Sequence, residues 1–210
     1  MLINELAKAV HENAVAHGWW DDEREAPEII ALIHSEWSEA LEEARADRPL
    51  VWYGCGEAEN SIIVCNPQDE YECRMYGREL ECQYRVKKPE GIAVELIDGC
   101  IRILDLLGEM NVNAVDDDDD KPFGIEELYA EEIAREAKYP LSHTVAFLHG
   151  FTADALKADT ANGNVDPGAL ISAMALALSW VKKQGLDPLA ILIEKHEYNK
   201  SRPYKHGKKF

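Results

Sequence analysis

No apolar run in this chain reaches the roughly 18 residues that span a bilayer, so a membrane is not an expected partner. Residues 1–17 lack a basic stretch followed by an apolar one, and they already carry Glu5, Lys8, His11 and Glu12. A signal peptide is therefore not expected, and the expected location is the cytoplasm. Basic charge is scarce: 22 Lys and Arg stand against 40 Asp and Glu, for a net charge of −18. Such a field repels a phosphodiester backbone, so nucleic acid is not expected as a partner. The phosphate-cradling pattern Gly-x-x-x-x-Gly-Lys-Ser/Thr is absent, which argues against motor-type ATP hydrolysis. No Glu is followed by His three residues later, the spacing that a carboxylate-bridged di-iron bundle uses. Close Cys-x-x-Cys pairs and internal repeats are missing as well.

What is present is helical periodicity around one interruption. Residues 1–17 place Ile3, Leu6, Ala7 and Val10 on one side, and His17-Gly18-Trp19-Trp20-Asp21 breaks the pattern. A second helix is expected over residues 27–45, with Pro27 in its first turn and apolar residues at 30, 33, 37, 41 and 44. A third follows Pro89-Glu90-Gly91 and runs to about Gly108. Further helices are expected over 125–138, 141–158, 167–183 and 188–199, the last capped by Asp187. The turn Asn162-Gly163-Asn164 joins two of them, and the acidic run 116–120 reads as a solvated linker without EF-hand spacing. Between about residues 50 and 86 the helical period disappears, and residues 61–65 read as a strand. The expected architecture is all-α: one domain, residues 1–210, a helical bundle with a small non-helical or β insertion.

Five cysteines occur. Cys100 lies in the apolar third helix and reads as a small core residue. Cys55, Cys65, Cys73 and Cys82 all fall in the insertion at wide intervals. Scattered cysteines in a small β element are the favoured reading, with a structural Zn²⁺ on these four as the lesser alternative. Disulfides are not expected in the cytoplasm.

The third helix carries the sharpest chemical signal. At about 100° per residue, Glu95, Asp98, Arg102 and Asp105 share one narrow stripe, and nearly everything else is apolar. A helix apolar on almost every side belongs in a core, so its polar stripe must face something that compensates buried charge. On the second helix, Glu36, Glu39 and Glu43 stack along one edge beside the apolar face, while Glu42 points away. If the two helices pack, Glu36 and Glu39 face Glu95 and Asp98. Four converging carboxylates repel and raise one another's pKa, and a hard divalent cation resolves the conflict. The bland alternative is a surface charge stripe plus a buried ion pair.

Glu36-x-x-Glu39 on one helix and Glu95-x-x-Asp98 on a later one resemble the all-α nucleoside triphosphate pyrophosphohydrolase superfamily, which includes MazG, the dimeric dUTPases and the dCTP pyrophosphatases. The C-terminal Lys195-x-x-x-Asn199-x-x-Arg202 is similar to the closing segment of that family. His206-Gly207-Lys208-Lys209 and His17-Gly18-Trp19-Trp20 resemble a MazG-like subgroup. The likeness covers about residues 15–48, 87–108 and 167–210, and leaves 50–86 unexplained. It implies a Mg²⁺-dependent enzyme, with Mn²⁺ as a substitute, that converts an NTP or dNTP to the monophosphate and pyrophosphate. By position it implies metal ligands at Glu36, Glu39, Glu95 and Asp98, and proton removal from a metal-activated water by Glu36 or Glu39. Lys195, Asn199 and Arg202 then clamp phosphates, and Trp19, Trp20 and His34 are candidates for base contact. A nucleotide is the expected partner, together with a second copy of the chain as a homodimer or higher homo-oligomer. The rival expectation is a non-catalytic scaffold or nucleotide-sensing regulator on the same fold.

Overall fold

A computed structural model describes residues 1–58, 61–65, 88–112, 124–130, 139–157 and 165–207, with side chains from 54 to 65 and at 157, 206 and 207 left aside. The protein is mostly helical. Its helices are α1 (Ile3–Ala16), α2 (Ala26–Arg45), α3 (Ile92–Glu109), α4 (Leu141–Lys157), α5 (Pro167–Lys183) and α6 (Pro188–Lys200). No described helix is long and apolar enough to cross a membrane.

α3 is the hub. It packs against α1, α2, α5 and α6, while α4 bridges α2 and α5. All its residues are buried except Asp98, Arg102, Asp105, Gly108 and Glu109. The apolar surround follows from a sequence in which Ile, Leu, Val, Ala and Cys face every direction but one. α1 contributes Ile3, Leu6, Ala7, Val10 and Ala14, and α2 contributes Ile29, Ile30, Ile33, Trp37 and Ala40. Trp37 ties three helices together. Its indole N–H donates to Thr152 Oγ1 on α4 at 3.0 Å, and its ring lies against Gly99 of α3. A Cβ at Gly99 would come within 2.2 Å of that ring, so the close approach of α2 and α3 depends on this glycine.

The expected interruption is a three-stranded antiparallel sheet of order β2-β1-β3: β1 (Trp52–Ala58), β2 (Ser61–Cys65) and β3 (Lys88–Glu90). The sheet leaves and rejoins the bundle at one place. Ala93 N donates to Leu50 O at 2.9 Å, and Gly91, with φ of 110°, turns the chain into α3. A side chain at Gly91 would meet the carbonyl oxygens of Pro49 and Leu50 at 2.7 and 2.8 Å. Trp52 fastens the sheet to α2 through a hydrogen bond to Glu43 Oε2 at 2.7 Å.

α6 starts as expected, with Asp187 Oδ1 accepting from Leu189 N and Ala190 N. The segment expected as a helix over 125–138 begins instead as a 3-10 turn, Ile125–Tyr129, which packs on α5. Its remainder, the acidic run 116–120, the turn 162–164, Cys73, Cys82, Lys208 and Lys209 lie outside the described residues, and so do the side chains of Cys55 and Cys65. The zinc alternative therefore falls there too. Cys100 is fully buried, a core residue as expected.

Candidate functional site

The acidic edges of α2 and α3 meet. Glu36, Glu39 and Glu95 each bring a carboxylate oxygen within 4.8 Å of the others. Glu36 and Glu95 are buried at 6% and 5% exposure, whereas Glu39 lies at the rim and accepts a hydrogen bond from Ser35 Oγ at 3.0 Å. Burial, then the neighbouring Asp98, pushes the Glu95 carboxyl up to about 8, against the partial relief of Lys195. Burial also raises the Glu36 carboxyl, although Arg102 opposes it. Both groups resist ionisation because burial strips water from the charged form, and the nearby Lys195 and Arg102 compensate only in part. An all-oxygen set of this kind matches the donor preference of a hard divalent cation. On that test, Glu36, Glu39 and Glu95 could hold a divalent cation.

Asp98, the fourth expected ligand, does not join this cluster. It stands one turn along α3, half-buried, and its Oδ2 lies 2.8 Å from Lys195 Nζ. Lys195 is 2% exposed and also donates to Pro89 O at 3.0 Å. Burial disfavours its charge, but Asp98 and Glu95 outweigh that and hold the ammonium above its ordinary value. Sequence spacing set Lys195 with Asn199 and Arg202 on one phosphate-facing stripe. In the fold Lys195 turns inward to the acids, and His196 takes the place beside Asn199 and Arg202.

That face opens on a cleft that is open to solvent. Glu36, Asp98, Arg102 and Asp105 line it from α2 and α3; His196, Asn199 and Arg202 line it from the C-terminal side. Trp19 and Arg24 close it from the turn between α1 and α2. Arg102 donates from Nε to Glu36, so the cation on the stripe serves the acid on the facing helix. At the far end, Asp105 Oδ1 accepts from His11 Nδ1 at 2.8 Å and from Trp20 Nε1 at 2.9 Å.

The three base-contact candidates separate. Trp19 lines the cleft. Trp20 is bonded to Asp105 and packs edge-on against His11, with ring centres 5.1 Å apart. His34 lies elsewhere, stacked on His149 of α4, and its Nδ1 is 2.7 Å from that of His149. One of these two nitrogens must carry the proton and the other accept it. Burial, then His149, lowers the pKa of His34, and burial alone lowers that of His149.

The C-terminal segment is fastened to the turn between α1 and α2. Lys205 N donates to His17 O at 2.9 Å, and the Tyr204 hydroxyl donates to Asp21. The Tyr204 ring occupies the space that a side chain at Gly18 would need. Lys205 Nζ lies 3.4 Å from Asp22.

Sequence reasoning placed Arg102 and Asp105 on the stripe without giving them a role, and it passed over Arg24 and His196. For His196 a signal existed, since it sits inside the closing motif at the i, i+3 and i+6 spacing that puts it in line with Asn199 and Arg202. For Arg24 and for the His11 partner of Asp105, spacing offered none. No protein-family model matches this chain, and no curated protein or solved structure matches it either.

Proposed function

We propose that the protein is a Mg²⁺-dependent nucleoside triphosphate pyrophosphohydrolase of the MazG-like, all-α kind, turning an NTP or dNTP and water into the monophosphate and pyrophosphate. The observation that carries this reading is the convergence of Glu36, Glu39 and Glu95 beside a cleft that also presents Asn199 and Arg202. The motif resemblance, Glu36-x-x-Glu39 with Glu95-x-x-Asp98, supports the same reading.

Glu36, Glu39 and Glu95 would hold the cation. Bound Mg²⁺ supplies charge that neutralises phosphate oxygens and acidifies a coordinated water. Glu36 is fixed by its pairing with Arg102, so it serves as a stationary ligand. Glu39, exposed and held among the described residues by Ser35, is the carboxylate placed to swing and accept a proton from water. Arg202 offers a guanidinium fork suited to phosphate oxygens, and Asn199 offers an amide beside it. Lys195 acts behind the site: by pairing with Asp98 it keeps a second charge from adding in full to the Glu95 burden. Self-association belongs to the same reading, and sedimentation that shows only monomer would count against it.

A second reading is favoured by one observation. Arg102 and Lys195 already neutralise Glu36 and Asp98 from within the chain. A nucleotide-sensing regulator on this fold would need no more than that. Pyrophosphate release from a panel of NTPs and dNTPs, with and without Mg²⁺, separates the two. Metal-dependent turnover is expected; nucleotide binding without turnover under any metal would transfer the case to the regulator.

A further inference from the structure

α4 packs one side on α2 and α5, and its other side is exposed, from His143 through Ala146, Phe147, Gly150 and Phe151 to Asp154. That side departs from the rest of the chain. Charged residues make up 30% of the sequence, yet Asp154 is the sole Asp, Glu, Lys or Arg between Leu141 and Leu156. Seven large hydrophobic residues are exposed among the described ones, and three of them, Tyr139, Phe147 and Phe151, gather here. The Tyr139 and Phe147 rings pack with centres 5.3 Å apart. A contiguous apolar patch on so charged a surface marks a place where another surface docks.

Gly150 narrows the choice of partner. A glycine inside a helix is costly, and no contact within this chain requires it, since a Cβ built there would meet no atom within 4 Å. The pattern around it is complementary to itself. Consider two α4 helices antiparallel, related by a twofold axis level with Leu148 and His149. That register sets Phe147 against Gly150, Phe151 against Ala146 and His143 against Asp154, each in both directions. Two large rings on either copy then meet two small residues on the other, the alternation that lets facing helices interdigitate. At both ends of the contact an imidazole faces a carboxylate. Net charge agrees. Two copies at −18 repel one another, and a face with one acid is where they approach at least cost.

We propose that two copies of the chain associate through this face of α4, antiparallel, with Phe147 of each copy seated over Gly150 of the other. The contact gives the self-association a surface, and it stands whether or not the chain hydrolyses nucleotides.

Sedimentation velocity of the full chain over a concentration series tests it. Wild type, Phe147→Glu and Gly150→Gln are compared, each with a thermal melt at a concentration low enough for wild type to be monomeric. Both positions are exposed, so neither variant should lose the monomer fold. Gly150→Gln should melt no lower than wild type, because glutamine is the better helix former. Phe147→Glu is expected to weaken association by about a hundredfold or more, because it puts a carboxylate into the apolar contact between two acidic copies. Gly150→Gln is expected to weaken it about tenfold by filling the notch, a loss opposite in sign to its effect on the helix. A wild type that stays monomeric throughout the series overturns the proposal and leaves the face to a different protein. Dimers that persist unchanged in both variants overturn it as well. Loss in Phe147→Glu with none in Gly150→Gln overturns the antiparallel register. Pyrophosphate release is scored separately: turnover by a monomeric chain sinks this proposal alone, and dimers without turnover sink the hydrolase reading alone.

Discussion

The two ends of the α3 polar stripe meet the same demand in opposite ways. At one end, Asp105 is buried deeply enough to raise its carboxyl, but His11 and Trp20 both donate to it from α1 and the following turn. At the other end, Glu95 is more thoroughly buried, and among the described residues it has no ion pair of its own. The helix is the same and so is the chemistry of the group. The difference lies in what the facing elements present: an imidazole and an indole at one end, and at the other two further glutamates with only partial relief from Lys195. The fold completes the Asp105 end and leaves the Glu95 end short of positive charge. A ligand that brings charge is therefore wanted at the Glu95 end and superfluous at the other.

The largest effect should come from breaking the incomplete end. Glu39→Gln is expected to reduce pyrophosphate release by about a thousandfold or more, with a melting temperature close to wild type because Glu39 is exposed. Asp98→Asn is expected to abolish turnover as well. It should also cost stability, since it weakens the only carboxylate partner that buried Lys195 has among the described residues. Steady-state assays with a thermal melt on each variant check both. Retained turnover in Glu39→Gln would remove the site assignment.

Arg102 sharpens the comparison, because it is the one cation that the stripe gives to the facing helix. Arg102→Met leaves Glu36 buried without its partner. Removing one member of a buried pair costs about 3–5 kcal/mol, and the lower end applies here because Arg102 keeps some solvent contact. Denaturant titration measures the loss. The double variant Glu36→Gln/Arg102→Met should regain part of it, and no regain would mean that Arg102 matters for reasons other than Glu36.

Helix faces were readable in advance; partners across the bundle were not. Amphipathic spacing placed α2 and α3 to within a residue or two, and it put Glu36, Glu39, Glu95 and Asp98 on edges able to meet. Periodicity reports which way a side chain points around its own axis, but a long-range pair depends on how two axes cross. The His11 bond to Asp105 joins residues 94 apart in sequence, and Arg102 reaches Glu36 across 66. Neither separation leaves a local trace. Lys195 shows the same gap from the other side. Its position at i, i+4 and i+7 with Asn199 and Arg202 is correct as sequence geometry, yet α6 packs on α3 so that this lysine is on the buried flank. Over Ile125–Tyr129 the winding is 3-10 and not α, a difference that an apolar pattern at helical spacing does not report.

The pH dependence of the metal-free protein tests the charge shortage directly. A carboxyl whose pKa is raised on folding, from 4.5 to about 8 for Glu95, holds its proton longer in the folded state. Its stabilising contribution is full below pH 4.5 and is lost as the pH rises to about 8. The lowered histidines, His34, His149 and His196, act in the opposite sense, but only below their ordinary value of 6.5. Between pH 6.5 and 8 the glutamate effect therefore stands alone among these groups. At about 1.4 kcal/mol per unit, stability should fall by about 2 kcal/mol across that window. Millimolar Mg²⁺ should flatten the fall, and so should Glu95→Gln. A metal-free melting temperature that stays level from pH 6.5 to 8 would mean that the Glu95 end is compensated after all.

The smallest effect belongs to the completed end. Asp105→Asn keeps an oxygen that can accept from the Trp20 indole and the His11 ring, and loses only the charge that strengthens those bonds. The expected cost is about 1 kcal/mol of stability, with turnover and Mg²⁺ dependence close to wild type. The contrast with Glu39→Gln is what matters, because both substitutions replace a carboxylate by its amide near one cleft. If the difference between the two ends is real, one change removes activity and the other only loosens the fold. Asp105 lines the cleft, so a loss of turnover as deep as that in Glu39→Gln would show that the working site extends along the whole stripe, and the division drawn between its two ends would have to be abandoned.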